Sequence, residues 1–344
     1  MINVALLSRW HVHADDYAKQ AKGIEQLSIQ LVWDEDAARG EEWAKELGVP
    51  FESDLQAVLA NPAIDAVIVS TPTNLHKEVI SLAIKNKKHV FTEKVLAFSV
   101  EDCEEIYQAA ADQGVELTVS LPRLTEPAFL AAEKVVKEGQ LGQLTTIRCR
   151  FAHNGAVAPE GQSRGWLPER FFNEEQCGGG ALIDLGAHPI YVTNRLAGPV
   201  QAVQARLQQT KGLGVDDNSI VLVEYQSGAL GLIETSFLSS GSPSQLELYG
   251  TQGTLMIEDN QVRIKSNQLG HEKWTHLESV TPLPMPMDQW VAAIESGAAP
   301  TFTKEDVINL TRINEAAALS HKENRRIVVQ NDASLASASS GKTL

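Results

Sequence analysis

The first third of the chain switches between two hydrophobic periods. Short apolar runs, "NVALL", "LSIQLVW", "DAVIVST", "HVFTE" and "VELTVS", read as strands. Unbroken apolarity suits strands whose sheet is covered by helices on both faces. Between them lie segments with apolar positions at helical spacing: Asp15–Gln20, "DAARGEEWAKELG", Leu75–Lys87 and a helix capped by Ser99. Gly48 closes the second of these, with Pro50 just beyond. Strand and helix repeated in this way predict an α/β fold, a Rossmann-like doubly wound parallel sheet over residues 1–121.

After Pro122 the pattern changes. A helix is expected over Pro127–Glu138, then a long strand in "GQLTTIRCRFAH". A glycine-rich helix start follows, "CGGGALIDLGAHPIYVTNRLAG". Beyond it, alternating runs separated by turn signals ("SIVLVEY", "GALGLIETSFL", "SQLELYG", "GTLMIED", "QVRIKS") predict a large, mostly antiparallel open sheet. With helices near Met287–Ser296 and Lys304–His321 this makes an α+β domain over residues 122–330. The Ser- and Ala-rich residues 331–344 read as a disordered tail.

Composition narrows the class. A chain of 344 residues exceeds one compact core, in keeping with two domains. A formal charge of −15 argues against nucleic acid or an anionic membrane as partner. No apolar run reaches the ~18–20 residues of a membrane span. Three scattered cysteines, Cys103, Cys149 and Cys177, give neither a disulfide framework nor a zinc ribbon. With Met1 leading straight into a strand, the expected location is the cytoplasm.

Ligands of a doubly wound sheet sit at the carboxyl ends of its strands. That rule selects the loops Ser8–His13, Asp34–Asp36, Ser70–His76, Glu93–Val95 and Ser120–Arg123. Lys94 ends a strand there, where desolvation and nearby charge would lower its pKa for proton transfer. The plainer reading is a solvated lysine. Asp184 and His188 are spaced one helical turn apart, as in an acid/base histidine held by a carboxylate, or in a polar pair that satisfies itself. Cys177 reads as a small buried residue before it reads as a nucleophile. His11 and His13 lack a third ligand nearby, so no metal is expected.

The motifs in this order resemble the Gfo/Idh/MocA family of oxidoreductases over residues 2–330. "ELGVPFESDLQAVLANPAIDAVIVSTPTNLHKEVISLAIKNKKHVFTEKVLA" is similar to the second half of its nucleotide domain, with the family's "EKP" present as Glu93-Lys94-Val95. "EGQLGQLTTIRCRFAH" and "GGGALIDLGAHPIYVTNRLAG" are similar to its second-domain motifs. The resemblance implies an NAD- or NADP-dependent dehydrogenase acting at a carbon–oxygen centre of a sugar, cyclitol or related polyol. It implies Lys94 as contact to nicotinamide and substrate, His188 as acid/base, Asp184 beside it and Arg123 on the substrate. Asp34 would hold the adenosine ribose, while Thr71, Pro72, Asn74, His76 and Glu93 would border the cofactor. It also implies a homodimer or homotetramer formed through the second sheet.

The departures are local. Val95 replaces a proline, and the glycine fingerprint for pyrophosphate is replaced by Ser8, Arg9, Trp10, His11, Val12 and His13. If the loop keeps its length, Ser8, Trp10 and His13 occupy the glycine places; if it is shortened, His13 matches a histidine that follows the loop. Helix N–H groups, Arg9 and the histidines would then hold the phosphates. Asp34 would repel a 2′-phosphate and so favours NAD, with Arg39 too far into the helix to matter. Lys94 and His188 are expected to point into one pocket. The competing reading is a catalytically idle protein that senses a dinucleotide or metabolite, to which the damaged fingerprint points and against which Lys94, Asp184 and His188 argue.

Overall fold

The computed structural model describes residues 1–278 and 280–329; the expected disordered tail lies outside them. The first sheet is parallel, in the order β2-β1-β3-β4-β5. Its strands are β1 (Ile2–Leu7), β2 (Leu27–Trp33), β3 (Ala66–Val69), β4 (His89–Thr92) and β5 (Leu117–Val119). The helices between them are α1 (Ala14–Gly23), α2 (Ala37–Leu47), α3 (Leu55–Ala60), α4 (His76–Lys85) and α5 (Val100–Gln113). The ends follow local chemistry. Asp36 caps α2 by accepting from the Arg39 N–H, and Gly48 closes it in the left-handed region. Ser99 caps α5 through the Asp102 N–H.

The second half opens with α6 (Pro127–Lys137), β6 (Leu144–Ala152), α7 (Glu174–Cys177) and α8 (Ala187–Ala197). Then come β7 (Val200–Gln208), β8 (Asn218–Tyr225), β9 (Leu230–Ser236), β10 (Gln245–Gly250), β11 (Gly253–Glu258), β12 (Gln261–Ser266) and β13 (His271–His276). The chain ends with α9 (Pro286–Ser296), α10 (Lys304–Glu323) and β14 (Ile327–Val328). These strands form a nine-stranded sheet, β13-β12-β11-β10-β6-β9-β8-β7-β14, antiparallel except for the β6–β9 pair. α8 and α10 cover one of its faces.

Five elements stand outside the sequence reading: α3, α7, β7, β13 and β14. β7 does alternate, but small alanines carry its buried face. β13 is almost wholly polar. One further expectation is corrected. α8 begins at Ala187, so Asp184 lies in the preceding turn and does not share a helical face with His188. The glycine run is held by a buried aspartate, Asp216, which accepts the N–H groups of Gly180 (2.8 Å) and Leu182 (2.9 Å). A Cβ at Gly180 would lie 2.0 Å from the Asp216 carbonyl oxygen, so only glycine fits there.

The two halves share a core. α10 packs against both α5 and β7. α9 returns to the first sheet, burying Met287, Trp290 and Val291 among its residues. Trp290 is fully buried, with its ring centroid 5.6 Å from that of Phe91 on β4. Trp290→Ala should therefore cost about 3–5 kcal/mol, the usual scale for an aromatic deleted from a core. Chemical denaturation checks this, and a loss below about 1 kcal/mol would show that α9 is not anchored this way.

Candidate active site

The β1–α1 loop is rebuilt in a specific way. Ser8 takes φ +76°, the conformation a glycine usually supplies, and its hydroxyl accepts the Trp10 N–H. Trp10 is buried and stacked on Phe171 of the second domain, with centroids 5.1 Å apart. Arg170 donates from Nε to the Trp10 carbonyl at 2.6 Å. His11 is buried and accepts the His13 N–H at Nδ1; burial pushes its pKa down to about 3. Val12 is exposed. Arg9 is spent on the exposed carboxylates of Asp15 and Glu46. Arg9 is thus paired with Asp15 beside the start of α1 rather than left free for a phosphate.

Asp34, at the end of β2, is also engaged. Its carboxylate accepts from the Arg9 and Asp36 N–H groups and from Arg39 Nε (3.0 Å) and Nη2 (2.6 Å). Arg39 does reach the strand end, contrary to expectation, and its charge offsets the carboxylate that would have disfavoured a 2′-phosphate. Gly40 permits this close seat of α2, since a Cβ there would meet Phe51 at 2.4 Å and Asp34 at 2.6 Å.

The turn after β3 presents Thr71, whose buried hydroxyl has no partner among the described residues. Pro72 precedes a single 3-10 turn containing Asn74, which makes no side-chain cap. His76 is buried, its ring nitrogens facing the carbonyls of Val95 (2.9 Å) and Thr71 (3.2 Å), so it ties this turn to the Lys94 loop.

Lys94 crosses between the domains. Its buried Nζ donates to Asp184 Oδ1 at 2.7 Å and to the Asp184 carbonyl at 2.9 Å. Burial works against its charge, but Asp184 and Glu93 outweigh that, and its pKa is raised. Lys94 is therefore a permanent cation, and the expected lowering toward the working range is corrected. Glu93 accepts a short hydrogen bond from Tyr17 on α1 and lies 3.9 Å from His11 Nδ1. Burial opposes its ionisation, yet His11 and Lys94 outweigh burial and hold its pKa below the usual carboxylate value.

His188 is partnered by Tyr191, not by a carboxylate: Nδ1 lies 2.8 Å from the Tyr191 hydroxyl, which accepts the Arg123 N–H. Burial, then Lys94 and Arg123, push the His188 pKa well below its ordinary value. Its ring is neutral near pH 7; in the tautomer that donates Nδ1–H to Tyr191, Nε2 is left as acceptor. Arg123 pairs with Glu126 and lies over Phe151.

His188 lines a cavity of about 440 Å³ together with His13, Tyr17, Glu93 and Ser120. Lys94 and Asp184 line a different space, about 20 Å³, with Trp10, His11, Thr73 and Phe171. The expected common pocket is therefore divided, and the stacked rings of Trp10 and Phe171 line the small space on the Lys94 side. Tyr17, Tyr191, Arg170 and Asp216 escaped sequence reasoning. Tyr17 lies one helical turn after His13 and Tyr191 three residues after His188, a spacing signal that was available. The Cys177 thiol is pushed up to about 12 by burial, which leaves it unreactive.

A Rossmann-like sheet joined to an open-sheet domain, with lysine and histidine at their junction, is the architecture of a dinucleotide-dependent oxidoreductase. Residues 8–121 match the profile of the oxidoreductase family with an NAD-binding Rossmann fold, and residues 129–256 match the GFO/IDH/MocA C-terminal domain. The chain belongs to the Gfo/Idh/MocA family and is an oxidoreductase whose cofactor is NAD or NADP. It is 28% identical over 301 residues to 1,5-anhydro-D-fructose reductase of Ensifer adhaerens, covering 84% of this chain and 86% of that protein. It is also 28% identical over 255 residues to scyllo-inositol 2-dehydrogenase (NAD(+)) of Bacillus subtilis, covering 72% and 70%. Its fold matches that of a levoglucosan dehydrogenase complexed with NADH and levoglucosan, with a TM-score of 0.83 at 21% identity over 96% of this chain and 100% of the other. No helix among the described residues is long and apolar enough to cross a membrane.

The residues fit such a dinucleotide at one end. The orphan hydroxyl of Thr71 is a buried polar group awaiting a partner, and Lys94 has a third N–H beyond the two given to Asp184. At the other end Asp34 is fully engaged and paired with Arg39. The space beside Lys94, about 20 Å³, holds one water at most.

Burial lowers the pKa of His11, His76 and His188, so the unfolded chain takes up protons that the folded chain refuses. Their contribution to stability is complete above pH ~6.5 and is lost as pH falls, by about 1.4 kcal/mol per group per pH unit. The melting temperature should fall steeply between pH 7 and 5, before most carboxylates titrate. A flat profile over that range would contradict the neutral, buried histidines.

Proposed function

We propose that the chain oxidises a secondary alcohol of a neutral sugar, cyclitol or related polyol to a ketone, or runs the reverse reduction. What supports this is a neutral histidine held by Tyr191 and a lysine held charged by Asp184, both near the domain junction. The dehydrogenases and reductases it resembles support the substrate class. When bound, the nicotinamide supplies or accepts the hydride.

In the oxidative direction, the substrate carbon loses hydride and its hydroxyl proton passes to His188 Nε2. Tyr191 keeps the ring oriented through Nδ1. Lys94, fixed by Asp184, offers its third N–H to the substrate oxygen and stabilises negative charge that develops there. For Lys94 and His188 to meet one substrate, the Trp10–Phe171 stack must part and join the two spaces.

His188→Ala should lower kcat by ~10²–10⁴-fold, with the dissociation constant for NADH within twofold of wild type. Steady-state assays with scyllo-inositol, levoglucosan and 1,5-anhydro-D-fructose, beside NADH fluorescence titration, test this. A fall smaller than about threefold would remove His188 from the chemistry.

The assembly follows from the sheet. Ile220 and Leu222 on β8 and Leu230 on β9 are 47%, 40% and 47% exposed on the uncovered face, flanking the Arg148–Glu234 and Arg148–Glu247 pairs. A contiguous apolar strip of this kind is covered in a symmetric pair of subunits. Light scattering should give at least a dimer at micromolar concentration; a monomer would contradict this reading.

A further inference from the structure

The 440 Å³ cavity has a wall that belongs to α1. His13, Asp16, Tyr17 and Gln20 lie on one face of that helix and line it opposite His188. Tyr17 is buried, and its hydroxyl donates to the buried carboxylate of Glu93 on the cavity floor. Asp16 is exposed at the rim, with His13 Nδ1 3.2 Å from its carboxylate. The volume lies within the ~300–1,000 Å³ of small-molecule sites and takes a single six-membered ring with its hydroxyls.

We infer that this α1 face selects the substrate: Tyr17, set by Glu93, meets a ring hydroxyl, and the carboxylates of Glu93 and Asp16 exclude acidic sugars. The proposal rests on the polyol reading above and narrows it. The charge argument is direct. Two carboxylates line the cavity and one lysine, Lys19, borders it. The other nearby cations are paired with carboxylates, Lys94 with Asp184 and Arg123 with Glu126. A uronic or aldonic acid entering this space would bring a third negative charge toward Glu93, which is buried, is hydrogen-bonded by Tyr17 and has its pKa held below the usual carboxylate value. A neutral ring brings only hydroxyls. With its proton given to Glu93, the Tyr17 hydroxyl accepts, while Ser120 and His188 add a hydroxyl and an imidazole, a set that recognises polyols. The glycine-free loop fits this account to the rest of the structure: His13 ends that loop as the N-cap of α1, and Tyr17 follows one turn later.

The test uses Tyr17→Phe and Asp16→Asn in the full chain. Probes are scyllo-inositol and levoglucosan as neutral rings and D-glucuronate as an acidic one. In wild type, a neutral ring at millimolar concentration should raise the melting temperature and D-glucuronate should not. Tyr17→Phe should abolish that rise and raise KM at least tenfold, with the NADH dissociation constant unchanged. Asp16→Asn should narrow the discrimination against D-glucuronate by about tenfold. A purely structural Tyr17 would instead lower the melting temperature without ligand and leave KM alone, which overturns the proposal. Turnover of a neutral ring with both variants unaffected also overturns it, while leaving the oxidoreductase reading in place. A melting shift with neutral rings that Tyr17→Phe removes, without turnover of any probe, supports the wall and counts against the catalytic reading. No shift with any ring, or a larger shift with D-glucuronate, overturns it.

Discussion

The buried ion pair between Lys94 and Asp184 is the interaction on which the site depends. It joins the carboxyl end of β4 to the turn before α8, and so one domain to the other. Its lysine is desolvated, and an ion pair of this kind persists only because both partners are present; removing one leaves an uncompensated charge worth about 3–5 kcal/mol. The pair fixes Lys94 as a cation and forbids it the role of proton carrier. That role falls to His188, whose neutrality follows in part from the same lysine nearby.

Around this pair the fold has exchanged glycines for aromatic rings. A glycine loop presents N–H groups to pyrophosphate at no steric cost. Here Ser8 keeps the left-handed backbone, but Trp10 turns inward onto Phe171, and Arg170 latches its carbonyl. The closed arrangement is well satisfied: apolar surface is buried, and the nearby charged groups of Arg9, Asp34 and Arg39 are paired with one another. A dinucleotide seated there would compete with these contacts, and on the opening proposed above its apparent affinity would be reduced by the fraction of molecules in the open form.

Much of this was legible in the sequence because it rests on local period. The strands of the first sheet, β6 and β8 to β12 of the second, α2, α5, α6 and the two C-terminal helices follow from apolar spacing and capping residues such as Ser99 and Gly48. Lys94, Asp184 and His188 were legible as chemistry at strand and helix ends. Their partners were not, since pairing is set by tertiary geometry: Asp184 turned out to serve Lys94, and Tyr191 serves His188. The direction of the Lys94 shift depended on that pairing as well. Arg39 was misjudged because its reach back to Asp34 depends on how closely Gly40 lets α2 approach β2 and Phe51. Tyr17 and the division of the cleft required three segments at once: α1, β4 and the stretch around Phe171.

The central claim is that the cleft of this oxidoreductase is closed by the Trp10–Phe171 stack and must open before the cofactor seats beside Lys94. Stopped-flow binding of NADH tests it most directly. If opening precedes binding, the observed rate levels off as NADH concentration rises, at a plateau set by the opening step. A rate that climbs linearly to millimolar NADH, or the absence of binding altogether, would contradict the account.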